Sequence, residues 1–167
     1  MIRLYSIEKT EAIIHKLAPL IRQVSADYGV PEAAIAAVLY REIKEIDLLD
    51  LAADTAVRLG CFPKRDSSTG YMQIFACVAI RALRFAAEHG IEKPQRLGMP
   101  DGMSEENPAD VRRMWRKLNR DRAFNLRMGT LNLLAAAAET VGETDFAAMN
   151  ADGMKRTFSR YNANTRS

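Results

Sequence analysis

Glu42 is the residue in this chain best placed to do chemistry. Ile35, Val38, Leu39, Glu42 and Ile46 recur at i, i+3, i+4, i+7 and i+11, so its carboxyl belongs to a helix face that packs inward. Apolar surroundings favour the neutral form of a carboxyl and raise its pKa. The partial negative charge at a helix C-terminus acts in the same direction. A raised pKa is what a general acid needs near neutrality. The plainer alternative is a boundary glutamate paired with Lys or Arg, with Glu45 and Asp47 as neighbours on more exposed faces.

Three later segments carry polar residues that packing alone does not call for. Ser67-Ser68-Thr69-Gly70-Tyr71-Met72-Gln73-Ile74 combines hydroxyls, an aromatic ring, a thioether and an amide. Sugars need that mixture, with polar groups for hydroxyls and N-acetyl amides and flat apolar surface for pyranose faces. Gly70 lets the backbone approach a ligand or adopt positive φ. A simpler reading of Ser68 and Thr69 is a helix cap. Further on, Asn125, Gly129 and Asn132 share one helical stripe. A mid-helix glycine costs about 1 kcal/mol against alanine, so Gly129 predicts close approach of another backbone. Tyr161-Asn162-Ala163-Asn164 closes the series.

Together these pieces resemble the lysozyme-like lytic transglycosylases, which cut the glycan strands of bacterial peptidoglycan. Gly70-Tyr71-Met72-Gln73-Ile74 resembles that family's Gly-Leu-Met-Gln-Ile motif, with Tyr71 in place of leucine. Asn125-Leu126, Gly129 and Leu133-Leu134 resemble its Asn-Ile … Gly … Tyr-Leu pattern, and Tyr161-Asn162-Ala163-Asn164 its closing Tyr-Asn-Ala-Gly. The resemblance implies a mostly α, single-domain lysozyme-like fold with a substrate cleft and an irregular central loop. It implies Glu42 as the acid and a Tyr161 hydroxyl that holds the carboxyl in position. Ser68, Thr69, Tyr71, Met72, Gln73, Asn125 and Asn162 are the expected substrate contacts. Two departures stand out: Ile43 follows the acid where the family commonly has serine, and Asn164 replaces the final glycine.

Hydrolysis by a glycosidase normally takes two carboxylates, whereas a lytic transglycosylase needs one. Asp66, in the motif-bearing loop, is the candidate second group for a hydrolytic muramidase. Its alternative role is that of a turn residue beside Lys64 and Arg65. Asp47, Asp50 and Asp54 have the spacing of a solvated helix face. The single-acid mechanism is therefore the expectation. A glycan-binding module without turnover is a further alternative.

Composition is that of an ordinary globular domain, 48% hydrophobic and 27% charged over 167 residues. No apolar run approaches the roughly 20 residues of a membrane span. The N-terminal residues lack the apolar core of a secretory signal, so the expected routes to the wall or periplasm are a specialised secretion system or a phage particle. An immunity or inhibitor protein would then be a natural partner beside the glycan itself. His15 and His89 lack ligand-like spacing and no cofactor motif is present, so neither metal nor cofactor is expected. Cys61 and Cys77 read as free thiols, with a bridge as the alternative under export. The net charge is +3. Arg112, Arg113, Arg116, Lys117, Arg120, Arg122 and Arg127 surround Trp115, a pattern that raises nucleic acid as a partner. Asp110 and Asp121 temper it, no helix-turn-helix signature accompanies it, and a solvated helix face is preferred.

The elements that must position these groups read as helices over about 7–28, 31–46, 47–59, 72–88, 109–118, 122–141 and 153–160. Pro19 predicts a kink or split in the first, and Pro31 a start for the second. Residues 61–71 and 90–108 read as irregular chain. One domain spanning 1–167 is expected, with an N-terminal helical segment over 1–28 and a motif-bearing core over 31–164.

Overall fold

The structure, a computed structural model, describes residues 3–60 and 66–164. Among them are seven α-helices: α1 (Ile7–Tyr28), α2 (Glu32–Glu45), α3 (Leu48–Leu59), α4 (Ala76–Glu88), α5 (Pro108–Arg120), α6 (Arg122–Val141) and α7 (Ala151–Asn164). A short 3-10 turn, Pro94–Leu97, is the only other helical piece described. The mostly α expectation agrees with this architecture.

Helix α6 is the hub. Phe124, Leu126, Met128, Leu131, Leu133, Leu134 and Ala137 are all buried and point in every direction round the axis, as a helix surrounded by protein requires. It packs against α1, α4, α5 and α7. Asp121 starts it, its carboxylate accepting the Phe124 N–H at 3.0 Å. Arg127 reaches from α6 to α1, where it meets Asp27 at 2.7 Å. Beside it the Tyr28 hydroxyl donates to Glu92 at 2.8 Å.

Helix α1 is continuous through Pro19, so the expected split does not occur. Losing one backbone hydrogen bond there costs about 3 kcal/mol. Burial of Ile21, Val24 and Tyr28 beyond it offsets that, at roughly 1.5–3 kcal/mol per large side chain. Pro31 sits at the N-cap of α2, one residue before the helix proper.

The acids of α3 are not a solvated face. Asp47 and Asp50 form a reciprocal capping box: the Asp47 carboxylate accepts the Asp50 N–H at 3.1 Å and the Asp50 carboxylate accepts the Asp47 N–H at 2.9 Å. Only Val57 of α3 is buried, and Leu48, Leu49, Leu51 and Leu59 stay exposed.

Helix α4 begins at Ala76, four residues later than the pattern predicts. Residues 69 to 74 form a closed turn instead. Thr69 and Ile74 exchange backbone hydrogen bonds at 3.2 and 3.4 Å, and Gln73 takes φ 43°. The helix starts where Asp66 can cap it, its two carboxylate oxygens accepting the Ala76 and Cys77 N–H groups at 2.9 Å each. Helices α5 and α7 also extend past their expected bounds, so Tyr161 and Asn162 lie on a helix.

Candidate active site

Glu42 lies in the last turn of α2 and is 7% exposed, below the surface as its stripe predicts. Far along the chain, α7 delivers Tyr161, which is fully buried. Its hydroxyl donates to the Met72 carbonyl of the central turn at 2.9 Å. Burial pushes the Tyr161 phenol well above its ordinary range, and the charge of Glu42 adds to the rise. Glu42 is thus close enough for its field to act on the phenol. Through Tyr161, α7 is bonded to the central turn, and Glu42 of α2 lies within electrostatic reach of that phenol.

The central turn is held by Asn125 of α6. Its Oδ1 accepts the Met72 N–H at 2.9 Å and its Nδ2 donates to the Thr69 carbonyl at 3.0 Å. Gly70 faces that amide at φ +70°, and a Cβ there would stand 2.5 Å from the Asn125 Cγ. Gly129, one turn along α6, makes room for the Met72 side chain, whose Cβ would lie 2.7 Å from any added methyl. The close approach predicted for Gly129 is therefore real, but its partner is a side chain and not a second backbone.

Three of the expected substrate contacts are structural. Thr69 and Met72 are 0% exposed and Asn125 is 2% exposed, so they brace the turn and present no surface to a ligand. The Thr69 hydroxyl donates to Asp54 at 2.7 Å. Ser68 and Tyr71 are half-buried, and Gln73 reaches the surface with only 8% of its area. Ser68 donates to the Gln73 Oε1 at 3.1 Å, while Gln73 Nε2 donates to the Gly70 carbonyl at 2.8 Å. The Tyr71 ring has the Arg122 guanidinium 5.6 Å from its centroid. Asn162, half-buried, follows Tyr161 on α7.

A polar network under the turn escapes sequence reasoning. Asp54 accepts from the Ser67 and Thr69 hydroxyls at 2.7 Å each. Trp115 Nε1 donates to Ser67 Oγ at 2.9 Å, and Asn119 Nδ2 donates to Thr69 Oγ1 at 2.8 Å. Burial holds the Asp54 carboxyl above its usual range, the two hydroxyl bonds opposing the rise. One signal for this was present: Val111, Met114, Trp115 and Leu118 fall on one apolar stripe, which turns the tryptophan inward and away from the arginines.

Asp66 is likewise raised chiefly by burial, with its backbone amide bonds pulling the other way. Both its oxygens are engaged in capping α4, a role that sequence reading did not assign to it. Lys64 and Arg65 lie outside the described residues, as does Cys61 and with it the question of a bridge. The Cys77 thiol is free, half-buried, and pushed up to about 11 by burial. Among the described residues no group of three or more His, Cys, Asp and Glu converges as metal ligands would. No helix among them is long and apolar enough to cross a membrane.

Comparison with family models, curated proteins and solved structures returns no match for this chain.

Proposed function

We propose that the protein is a peptidoglycan-cleaving glycosidase, a lytic transglycosylase acting on the β-1,4 bond between N-acetylmuramic acid and N-acetylglucosamine. One observation carries the reading: a sequestered carboxyl on α2 lies within electrostatic reach of a phenol on α7 that is bonded to the backbone of the Gly70–Ile74 turn. In its protonated form Glu42 donates its proton to the glycosidic oxygen as the bond to C1 breaks. The resulting carboxylate takes the proton of the muramic acid C6 hydroxyl as that oxygen attacks C1, closing a 1,6-anhydro ring. The proton returns to Glu42, so one carboxyl serves as acid and then as base.

In this reading Tyr161 is a positioning residue. With its hydroxyl on the Met72 carbonyl, it fixes the turn relative to the carboxyl. Ser68, Tyr71, Gln73 and Asn162 keep surface for the sugar chain, with the Tyr71 ring as the apolar platform. The single-acid route is preferred over hydrolysis because the carboxylates nearest the turn are already occupied. Asp66 caps α4 and Asp54 receives two hydroxyls. The site of action is the bacterial wall or periplasm.

Digestion of purified sacculi by the native protein and by Glu42→Gln, with products identified by mass, tests the proposal. The expected products are anhydromuropeptides, and the variant loses about 10²–10⁴ in rate, the usual worth of a general acid. Ordinary reducing-end muropeptides would instead indicate a muramidase. Binding of sacculi without any cleavage would indicate a glycan-binding module.

A further inference from the structure

Helix α5 separates its two faces sharply. Val111, Met114, Trp115 and Leu118 are buried, while Arg112, Arg113, Arg116 and Arg120 are exposed. Arg112, Arg116 and Arg120 form one row at successive i+4 steps, with Arg113 and Lys117 beside it. These cations line a groove of about 770 Å³ in which Asp121 is the one acid among the described residues. Among the described residues, none of the four arginines makes an ion pair or hydrogen bond. The neighbouring acids are committed to the backbone: Asp110 accepts the Ser104 N–H at 3.2 Å and Asp121 caps α6. Like charges four residues apart weaken a helix, so this row is a cost to the protein until an anion neutralises it.

We propose that the α5 groove binds a linear phosphodiester polymer of the polyol-phosphate kind that bacteria attach to their wall glycan. The choice of polymer rests on the glycan-cleaving reading above. Guanidinium forks match phosphate oxygens in pairs, and a row repeating every helical turn suits a chain of regularly spaced phosphates. A membrane surface fits less well, since every large apolar side chain of α5 is buried and none is left to insert. Nucleic acid fits less well also. None of the described groove residues is aromatic, and Trp115 is spent on Ser67, so within the groove itself bases find no ring on which to stack. The groove ends at Asp121, next in the chain to a residue that touches the central turn. Arg122, just past α5, stands over the Tyr71 ring, and the exposed Asn119 of α5 bonds Thr69. A polymer lying along α5 would hold its glycan anchor against the central turn.

The test is titration of the full-length native protein and of R112A/R116A/R120A with purified poly(glycerol phosphate), at several salt concentrations. Circular dichroism checks that the variant is folded, and Arg156→Ala, on α7, serves as the control. The native protein should bind, and the triple variant should lose at least tenfold in affinity. Its dependence of log K on log salt should be shallower by about 2, as expected when three phosphate contacts are removed. Native protein should also bind sacculi carrying the polymer more tightly than sacculi stripped of it by hydrofluoric acid. Equal affinity of native and triple variant, equal binding to both kinds of sacculi, or tighter binding to double-stranded DNA than to the polymer would each overturn the proposal. Cleavage of stripped sacculi by the native protein is scored separately. Polymer binding without cleavage upholds the groove while rejecting the glycosidase, and cleavage without polymer binding does the reverse.

Discussion

The Tyr161 hydroxyl donates to the Met72 carbonyl at 2.9 Å, and this bond ties the last helix to the turn at the centre of the molecule. Both residues are 0% exposed. Removing the hydroxyl leaves a buried carbonyl without its donor, at about 1–3 kcal/mol. Tyr161→Phe should lower unfolding stability by that amount in urea titrations, with glycan cleavage falling as the turn loosens. An unchanged midpoint would mean that the bond contributes nothing.

The same residue sets an alkaline limit. Its phenol is raised in the folded state above the unfolded value near 10. A group raised in this way contributes its stability below the unfolded pKa and loses it as pH climbs beyond. Tyr28, raised mainly by burial, acts in the same direction. Native protein should therefore lose stability above about pH 10, and Tyr161→Phe should lose it less steeply. Parallel stability curves for the two proteins between pH 9 and 11 would contradict this.

Gly70 should tolerate alanine far worse than Gly142 does. Both have positive φ, at +70° and +73°. An added methyl at Gly142 meets open space, whereas at Gly70 it runs into the Asn125 amide. Gly142→Ala should cost about 1 kcal/mol for its backbone alone. Gly70→Ala should cost some 2 kcal/mol more, within the range known for overpacking, and should disturb cleavage as well. Thermal unfolding of the two variants side by side measures the difference.

Asn125→Leu keeps roughly the volume and removes both amide bonds to the turn. The buried Met72 N–H loses its acceptor, while the Thr69 carbonyl keeps the Ile74 N–H, so a loss of about 1–3 kcal/mol is expected by denaturant unfolding. Because Asn125 acts through the turn and has no surface of its own, kcat should fall more than KM rises. A change confined to KM would instead place Asn125 in contact with substrate.

Asp66→Ala removes the cap of α4 and should cost about 0.5–2 kcal/mol. Any cleavage that remains should still yield anhydro products. If Asp66 were the base of a hydrolase, the variant would abolish cleavage without a comparable fall in stability. Measuring both on one preparation separates the two roles.

What the chain determined locally is the set of helices and the inward place of Glu42. Side-chain periodicity of 3.6 is written residue by residue, so the stripe through Ile35, Val38, Leu39 and Ile46 was legible without coordinates. The start of α6 and the exposed arginines of α5 were readable for the same reason. The start of α4 was not. Its apolar pattern begins at Met72, but Gln73 takes a left-handed turn because Asn125, 53 residues away, grips the Met72 N–H. The roles of Thr69, Asn125, Asp54 and Trp115 were hidden likewise. A hydroxyl or amide reads the same whether it will meet a sugar or a buried backbone group, and only its burial and its partner distinguish the two. Long-range hydrogen bonds leave no periodic trace in the chain. They exist only once α6 and α7 have packed, and that packing decides which polar residues support the turn and which remain open to a ligand.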